Sequence, residues 1–246
     1  MGPALARAVQ PAQAAVRSGH HSRKRAARAH HHHRVPLRAA ARQRRHEERV
    51  ARARERQARR AQERAARQAQ HEAQNARSAA TIAAVLATPC ANTELTPTED
   101  NLDAIRAAVL CLINRERAEH SELPLSANGD LQAAADSHDR ELISDDYFAH
   151  VSPRGETPVQ RIRETGYIPN SSDGYVLGEN LAWGTYGLAT PSAIVEAWIA
   201  SPGHLANILE AQYRETGIAI VAAVPESLGR GAPGATYAQE FGVIIP

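Results

Sequence analysis

Large apolar side chains are distributed in two very different ways along the chain. Residues 1–80 hold only seven of them, Met1, Leu5, Val9, Val16, Val35, Leu37 and Val50, with no spacing that defines a buried face. From about residue 96 the pattern becomes regular. Thr96-Pro97-Thr98-Glu99 has the form of a capping box with Pro at the first helical position. Leu102, Ile105, Val109, Leu112 and Ile113 then recur at helical spacing, which predicts a helix to about His120. Asn128 is placed to cap a second helix that turns Leu131, Ala134, Ala135, Leu142 and Ile143 inward. Pro158 to Thr165 reads as a short third helix ending at Gly166, and Thr190-Pro191 opens a fourth with Ile194, Val195, Trp198 and Ile199 on one face, stopped by Pro202. Two strand-like runs follow, 217–224 and 235–245, separated by a Pro/Gly/Ser turn region. Helices flanking a small, mainly antiparallel sheet predict an α+β domain.

Composition divides the chain at the same place. The formal net charge of the 246 residues is +2, yet residues 1–80 carry 20 Lys+Arg against 5 Asp+Glu, and the remainder carries 9 against 22. All ten aromatic residues lie between Tyr147 and Phe241. A segment so poor in large apolar groups cannot offset the entropy of ordering its backbone by burial. The expected organisation is a basic Ala/Arg/His-rich low-complexity prefix over residues 1–88 and one folded domain over 89–246. The prefix is expected to be disordered up to about residue 41, where Pro, Gly and the run His30–His33 occur. Over 41–80, where Ala, Arg, Gln and Glu dominate, a solvated helix is expected, supported by the (i, i+4) pairs Glu48/Arg52, Glu55/Arg59 and Glu63/Arg67. Its charge suits an anionic polymer or an anionic membrane surface. Nucleic acid is disfavoured, because no aromatics are interleaved to stack on bases.

Nothing near Met1 has the form of a secretory signal, and the apolar run Ala79–Ala87 is too short to span a membrane. The two cysteines, Cys90 and Cys111, lack metal-type spacing. A disulfide closing a loop of about 20 residues is favoured over two buried thiols. It implies an oxidising compartment, extracellular or at the cell wall, and hence a signal lying upstream of Met1.

Common catalytic signatures are missing: there is no GxSxG elbow, Walker loop, GxGxxG or HExxH. What stands out are polar residues at element boundaries: His150 between Tyr147-Phe148-Ala149 and Val151-Ser152-Pro153, Glu179 in Gly178-Glu179-Asn180-Leu181-Ala182-Trp183, and His204 between Ser201-Pro202-Gly203 and Leu205-Ala206-Asn207. With Leu112-Ile113-Asn114-Arg115-Glu116-Arg117, Gly155-Glu156-Thr157-Pro158, Arg161-Ile162 to Gly166-Tyr167 and Gly234-Ala235-Thr236-Tyr237, they resemble the bacterial branch of the CAP superfamily. That superfamily unites cysteine-rich secretory, antigen-five and pathogenesis-related proteins. The resemblance covers about residues 100–246.

The resemblance implies a three-layer α-β-α sandwich with a polar cavity. In the family a tetrad of two His and two Glu lines that cavity and in some members holds a divalent metal. His150, Glu179 and His204 fall on three tetrad positions. The fourth falls on Ser201, and the nearby carboxylate, Glu196, lies about 130° from the centre of its helix's apolar face. Two imidazoles and a carboxylate form a zinc shell with an open position for water, so zinc is the candidate cofactor. His138, in mid-helix, reads as structural or exposed. Three functions follow as expectations. The leading one is a secreted, monomeric, non-enzymatic module whose cavity or groove binds a hydrophobic or cell-envelope ligand. The others are a metal-dependent hydrolase of peptide or cell-wall bonds, and a wall-anchored structural or interaction protein.

Overall fold

The computed structural model describes residues 34–245. The expected disorder of the first residues and the His30–His33 run lie, up to residue 33, outside the described residues. From there the chain is helical: α1 runs Arg34–Ala87, seven residues ahead of the expected start. Pro36 sits in its first turn, where a missing N–H costs no intrahelical bond. None of the three expected Glu/Arg pairs closes, and Arg59 instead reaches forward to Glu63 at 2.9 Å. Exposed pairs gain too little in water to hold one geometry. The chain divides into two units, Met1–Arg67 and Gln68–Pro246.

In the second unit the remaining elements are α2 (Leu102–Glu119), β1 (Ser126–Ala127), α3 (Gly129–Ser144), α4 (Pro158–Glu164), β2 (Gly174–Thr185), α5 (Pro191–Ala200), α6 (Pro202–Ile208), β3 (Glu215–Val221), the short α7 (Glu226–Gly229) and β4 (Gly234–Ile245). The sheet order is β1-β3-β4-β2. β1 pairs parallel with β3, and the other two pairings are antiparallel. The three-layer α+β architecture is thus present.

Caps explain most helix starts. Asn128 accepts from the backbone N–H groups of Asp130 and Leu131 at α3, and Thr157 with Gln160 forms a reciprocal capping box at α4. α2 departs from expectation, for Thr96-Pro97-Thr98-Glu99 does not cap it. The Asn101 side chain accepts from the Thr98 N–H and donates to the Thr96 carbonyl. These bonds tie the segment into a turn and delay the helix to Leu102. Pro202 stops α5 as expected, with Ser201 extended before it, and also opens α6 as that helix's first residue.

The larger core lies between the sheet and α2, α5 and α6, where Ile105, Val109, Ile113, Ile194, Val195, Trp198 and Ile208 meet Ile218, Ile220, Tyr237 and Phe241. The opposite sheet face carries Leu181 and the small residues Ala219 and Ala238 against Ala135 and Leu142 of α3, so α3 approaches closely. At Gly217 a Cβ would collide with the Leu131–Gln132 backbone of α3, which is why that strand position is a glycine. Cys90 and Cys111 form a disulfide with Cα atoms 5.6 Å apart, tying the segment after α1 to α2. Among the described residues no helix is long and apolar enough to cross a membrane.

Candidate functional site

The site forms along β2, the edge strand of the sheet, and is organised by Glu179. Alternation along β2 sends this side chain to the α3 face of the sheet, where it is 2% exposed. Its two oxygens face different partners. Oε1 lies 2.6 Å from Nδ1 of His150, on the loop after α3. Oε2 accepts from Arg161 Nη2 of α4 at 2.8 Å. Arg161 is itself buried and also donates to the carbonyls of His150 and Glu156, so one guanidinium fixes both the carboxylate and the loop presenting the imidazole. His150 remains 54% exposed. Since Nδ1 is taken, Nε2 is the nitrogen left for a ligand.

Two neighbours complete the buried cluster. His138 of α3 lies with Nε2 3.8 Å from Glu179 Oε2 and 3.1 Å from the Ala149 carbonyl. A carbonyl only accepts, so the proton sits on Nε2. Glu240 of β4 stands directly opposite Glu179 in the strand register. It is fully buried, and neither of its oxygens has a donor within reach.

The electrostatics separate these groups. Burial pushes the Glu179 carboxyl up, but the hydrogen bond from His150 and the charges of His138 and Arg161 outweigh it and hold the pKa below the usual carboxylate range. Burial first, then the charge of Glu179, pushes Glu240 well above that range. The raised pKa favours the neutral carboxyl at Glu240, since a second buried negative charge opposite Glu179 would be repelled. The hydrogen bond to Glu179 raises the His150 pKa against the effect of its partial burial. Burial lowers His138. Burial, then the proximity of His150, lowers His204.

His204 stands in the first turn of α6 with a buried, unpartnered Nδ1. Two asparagines hold that turn against β2. Asn180 donates to the His204 carbonyl at 3.2 Å, and Asn207 donates to the Glu179 carbonyl at 3.0 Å and to Asn180 Oδ1 at 2.9 Å. Trp198 Nε1 donates to the Leu181 carbonyl, so the outer edge of β2 is covered at this level. His150, Glu179 and His204 thus come to one strand edge. Ser201, just before α6, makes no side-chain hydrogen bond among the described residues. Glu196 is exposed on α5 and accepts only from Ser192, away from Glu179. The sequence reading missed the roles of Arg161 and Glu240 and the place of His138. A lone acid at Glu240 in an otherwise uncharged strand was the available signal.

The donor set does not fit the zinc shell that the family resemblance implies. Both Glu179 oxygens are engaged, one by a guanidinium whose charge opposes a cation, and the two remaining imidazoles fall short of three protein ligands. Among the described residues no group of three or more His, Cys, Asp or Glu is arranged to hold a metal ion. The neighbouring surface is polar. Ser137, Arg140, Glu141 and Ser144 of α3 and Ser152, Arg154 and Glu156 of the His150 loop line a groove of about 580 Å³. Arg154 crosses it to Glu141 and Asp145 at 3.0 Å.

Parts of this chain are similar to known proteins. The chain is 29% identical to YkwD of Bacillus subtilis (strain 168) over 126 residues, 51% of this chain and 46% of that protein. It is 29% identical to YlbC, a membrane protein of the same organism, over 112 residues, 46% of this chain and 30% of that one. A crystal structure of an extracellular SCP-domain protein from Bacillus anthracis str. Ames is similar at 23% identity and a TM-score of 0.44, covering 60% of this chain and 44% of that one. The chain spans less than half the length of each. Residues 110–224 match the model of the CAP family, the cysteine-rich secretory protein family, so the folded domain of this chain is similar to that family over this stretch.

Proposed function

We propose that the CAP domain is a non-enzymatic binding module for a polar cell-envelope ligand, held in the groove between α3 and residues 152–156, with His150 two residues ahead of that lining. The observation that carries this reading is the support under His150: an exposed imidazole whose Nδ1 is fixed by a buried carboxylate, itself fixed by buried Arg161. A preorganised donor beside hydroxyls, guanidinium groups and carboxylates suits a ligand rich in hydroxyl and amide groups. The polar groove lining favours such a ligand over a hydrophobic one. Hydrolysis is less well supported, because both Glu179 oxygens are engaged and neither is left to take a proton from water. A location outside the cytosol belongs to this reading, and the Cys90–Cys111 disulfide supports it.

The test uses the full chain with soluble muropeptides from a lysozyme digest of peptidoglycan. Calorimetry is expected to show saturable binding that His150→Ala and Arg154→Ala each weaken at least about tenfold, with both variants folded. Cleaved muropeptides in the mass spectrum would replace this reading with the hydrolase. Binding unchanged in both variants, or binding to fatty acids alone, would overturn it.

A further inference from the structure

The arginines of α1 are not spread evenly round the helix. Arg38, Arg42, Arg45, Arg49, Arg52, Arg56 and Arg59 follow one another at alternating steps of four and three residues. At about 100° per residue they fall within a sector about 100° wide, and the row runs for about 32 Å. Arg67 returns to the same sector one turn beyond Glu63. All of these side chains are exposed, and within the row only Arg59 has an acidic partner, Glu63. Glu48 and Glu55 flank the row on one side, and Glu47 lies on the opposite face. Arg44 and Arg54 point away from the row, and Arg64 lies outside its edge. The result is a straight line of guanidinium groups, one for about every 5 Å of helix axis.

We infer that this arginine row is a docking surface for a linear phosphodiester polymer of the cell envelope, lying along the helix. The inference concerns residues 38–59 and is independent of what the CAP domain binds. Charge complementarity sets the sign of the partner, and the residue type sets its chemistry. Residues 1–80 hold 19 Arg and one Lys, and the guanidinium fork matches phosphate oxygens two at a time where an ammonium cannot. The geometry selects among phosphate polymers. Over a full turn of about 34 Å, each strand of double-stranded DNA winds completely round its axis, so a row along the duplex meets its phosphates only where it crosses a strand. A flexible single chain can follow the row throughout. Single-stranded nucleic acid would leave its bases unstacked, because no aromatic residue precedes Tyr147. An anionic bilayer would need an apolar face to enter the interface, and between residues 38 and 81 the only large apolar side chain is Val50.

Two variants of equal charge test it in the full-length protein. One carries Arg45→Gln, Arg49→Gln and Arg52→Gln in the row, and the other carries Arg44→Gln, Arg54→Gln and Arg64→Gln outside it. The probe is poly(glycerol phosphate), with duplex DNA and phosphatidylglycerol vesicles as competing surfaces and circular dichroism to confirm equal helix content. The row variant is expected to lose about tenfold or more in affinity, and its salt dependence to flatten by roughly two logarithmic units per decade of salt. The control is expected to change less than about threefold. Equal losses in both variants would reduce the surface to bulk charge and overturn the inference. Tighter binding to DNA or vesicles than to the polymer would overturn it as well.

Discussion

Glu240 on β4 and Glu179 on β2 are direct cross-strand neighbours, two buried carboxyls facing each other within the sheet. Like charges directly opposite destabilise a strand pair, and burial with the charge of Glu179 raises the Glu240 pKa, which favours its neutral form. In the unfolded chain Glu240 ionises near the ordinary carboxylate value, while in the folded chain its pKa lies well above it. The folded state thus binds the extra proton, and stability from this group falls as pH rises above about 4.3. Glu240→Gln keeps the shape of the side chain and removes the titration. It is expected to raise stability at pH 7–8 by about 1 kcal/mol and to leave it nearly unchanged at pH 4, as followed by urea denaturation at both pH values.

Among the described residues, Arg161 is the one arginine or lysine paired with Glu179. Arg161→Met leaves a buried carboxylate without that partner and frees the His150 and Glu156 carbonyls. A loss of about 3–5 kcal/mol is expected in chemical denaturation. Arg161→Lys is expected to recover part of it, since an ammonium supplies the charge without the fork.

The two site histidines are expected to titrate on opposite sides of the ordinary value near 6.5. His150 is raised by its bond to Glu179 and His204 is lowered by burial. Imidazole proton shifts followed by NMR between pH 4.5 and 9 check the order. The stabilising contribution of His150 is fully present below about pH 6.5 and is lost as pH rises through its higher folded value. His150→Ala is thus expected to lower the Tm at pH 5 and to leave it nearly unchanged at pH 9.

The Cys90–Cys111 bridge closes a segment with a sequence separation of 21. The double substitution Cys90→Ser/Cys111→Ser is expected to cost about 3 kcal/mol in the chain-entropy account. That corresponds to a fall in Tm of roughly 6–12 °C for a domain of this size, read by differential scanning calorimetry.

At Gly217 the strand passes so close to α3 that any Cβ meets backbone and not a side chain that could swing aside. Gly217→Ala is expected to cost more than about 2 kcal/mol and to broaden signals from α3. Gly187→Ala meets nothing within 4 Å and serves as the neutral comparison in the same denaturation series.

The sequence by itself showed the contrast between a basic, apolar-poor stretch and an α+β region, because charge and apolar periodicity are local properties of the chain. It also determined α3, α4 and α5, whose caps and apolar faces are written in consecutive residues, and the course of β3 and β4. It showed His150, Glu179 and His204 as polar residues at element boundaries. It did not show β2, because Gly174, Gly178, Glu179, Asn180 and Gly184 break the apolar alternation of a strand. With β2 hidden, no register was available to set Glu240 against Glu179, and no edge to bring His204 beside them. Nor was Pro202 legible as the start of α6. A proline ends one helix and opens the next by the same fixed φ and missing N–H, and Pro202 does both, α6 then being held by its packing on β2. Tertiary structure alone decided that Arg161 from α4, His138 from α3 and Glu240 from β4 converge on one carboxylate. That convergence depends on which strands are neighbours, and cross-strand neighbours far apart in sequence leave no trace in local pattern.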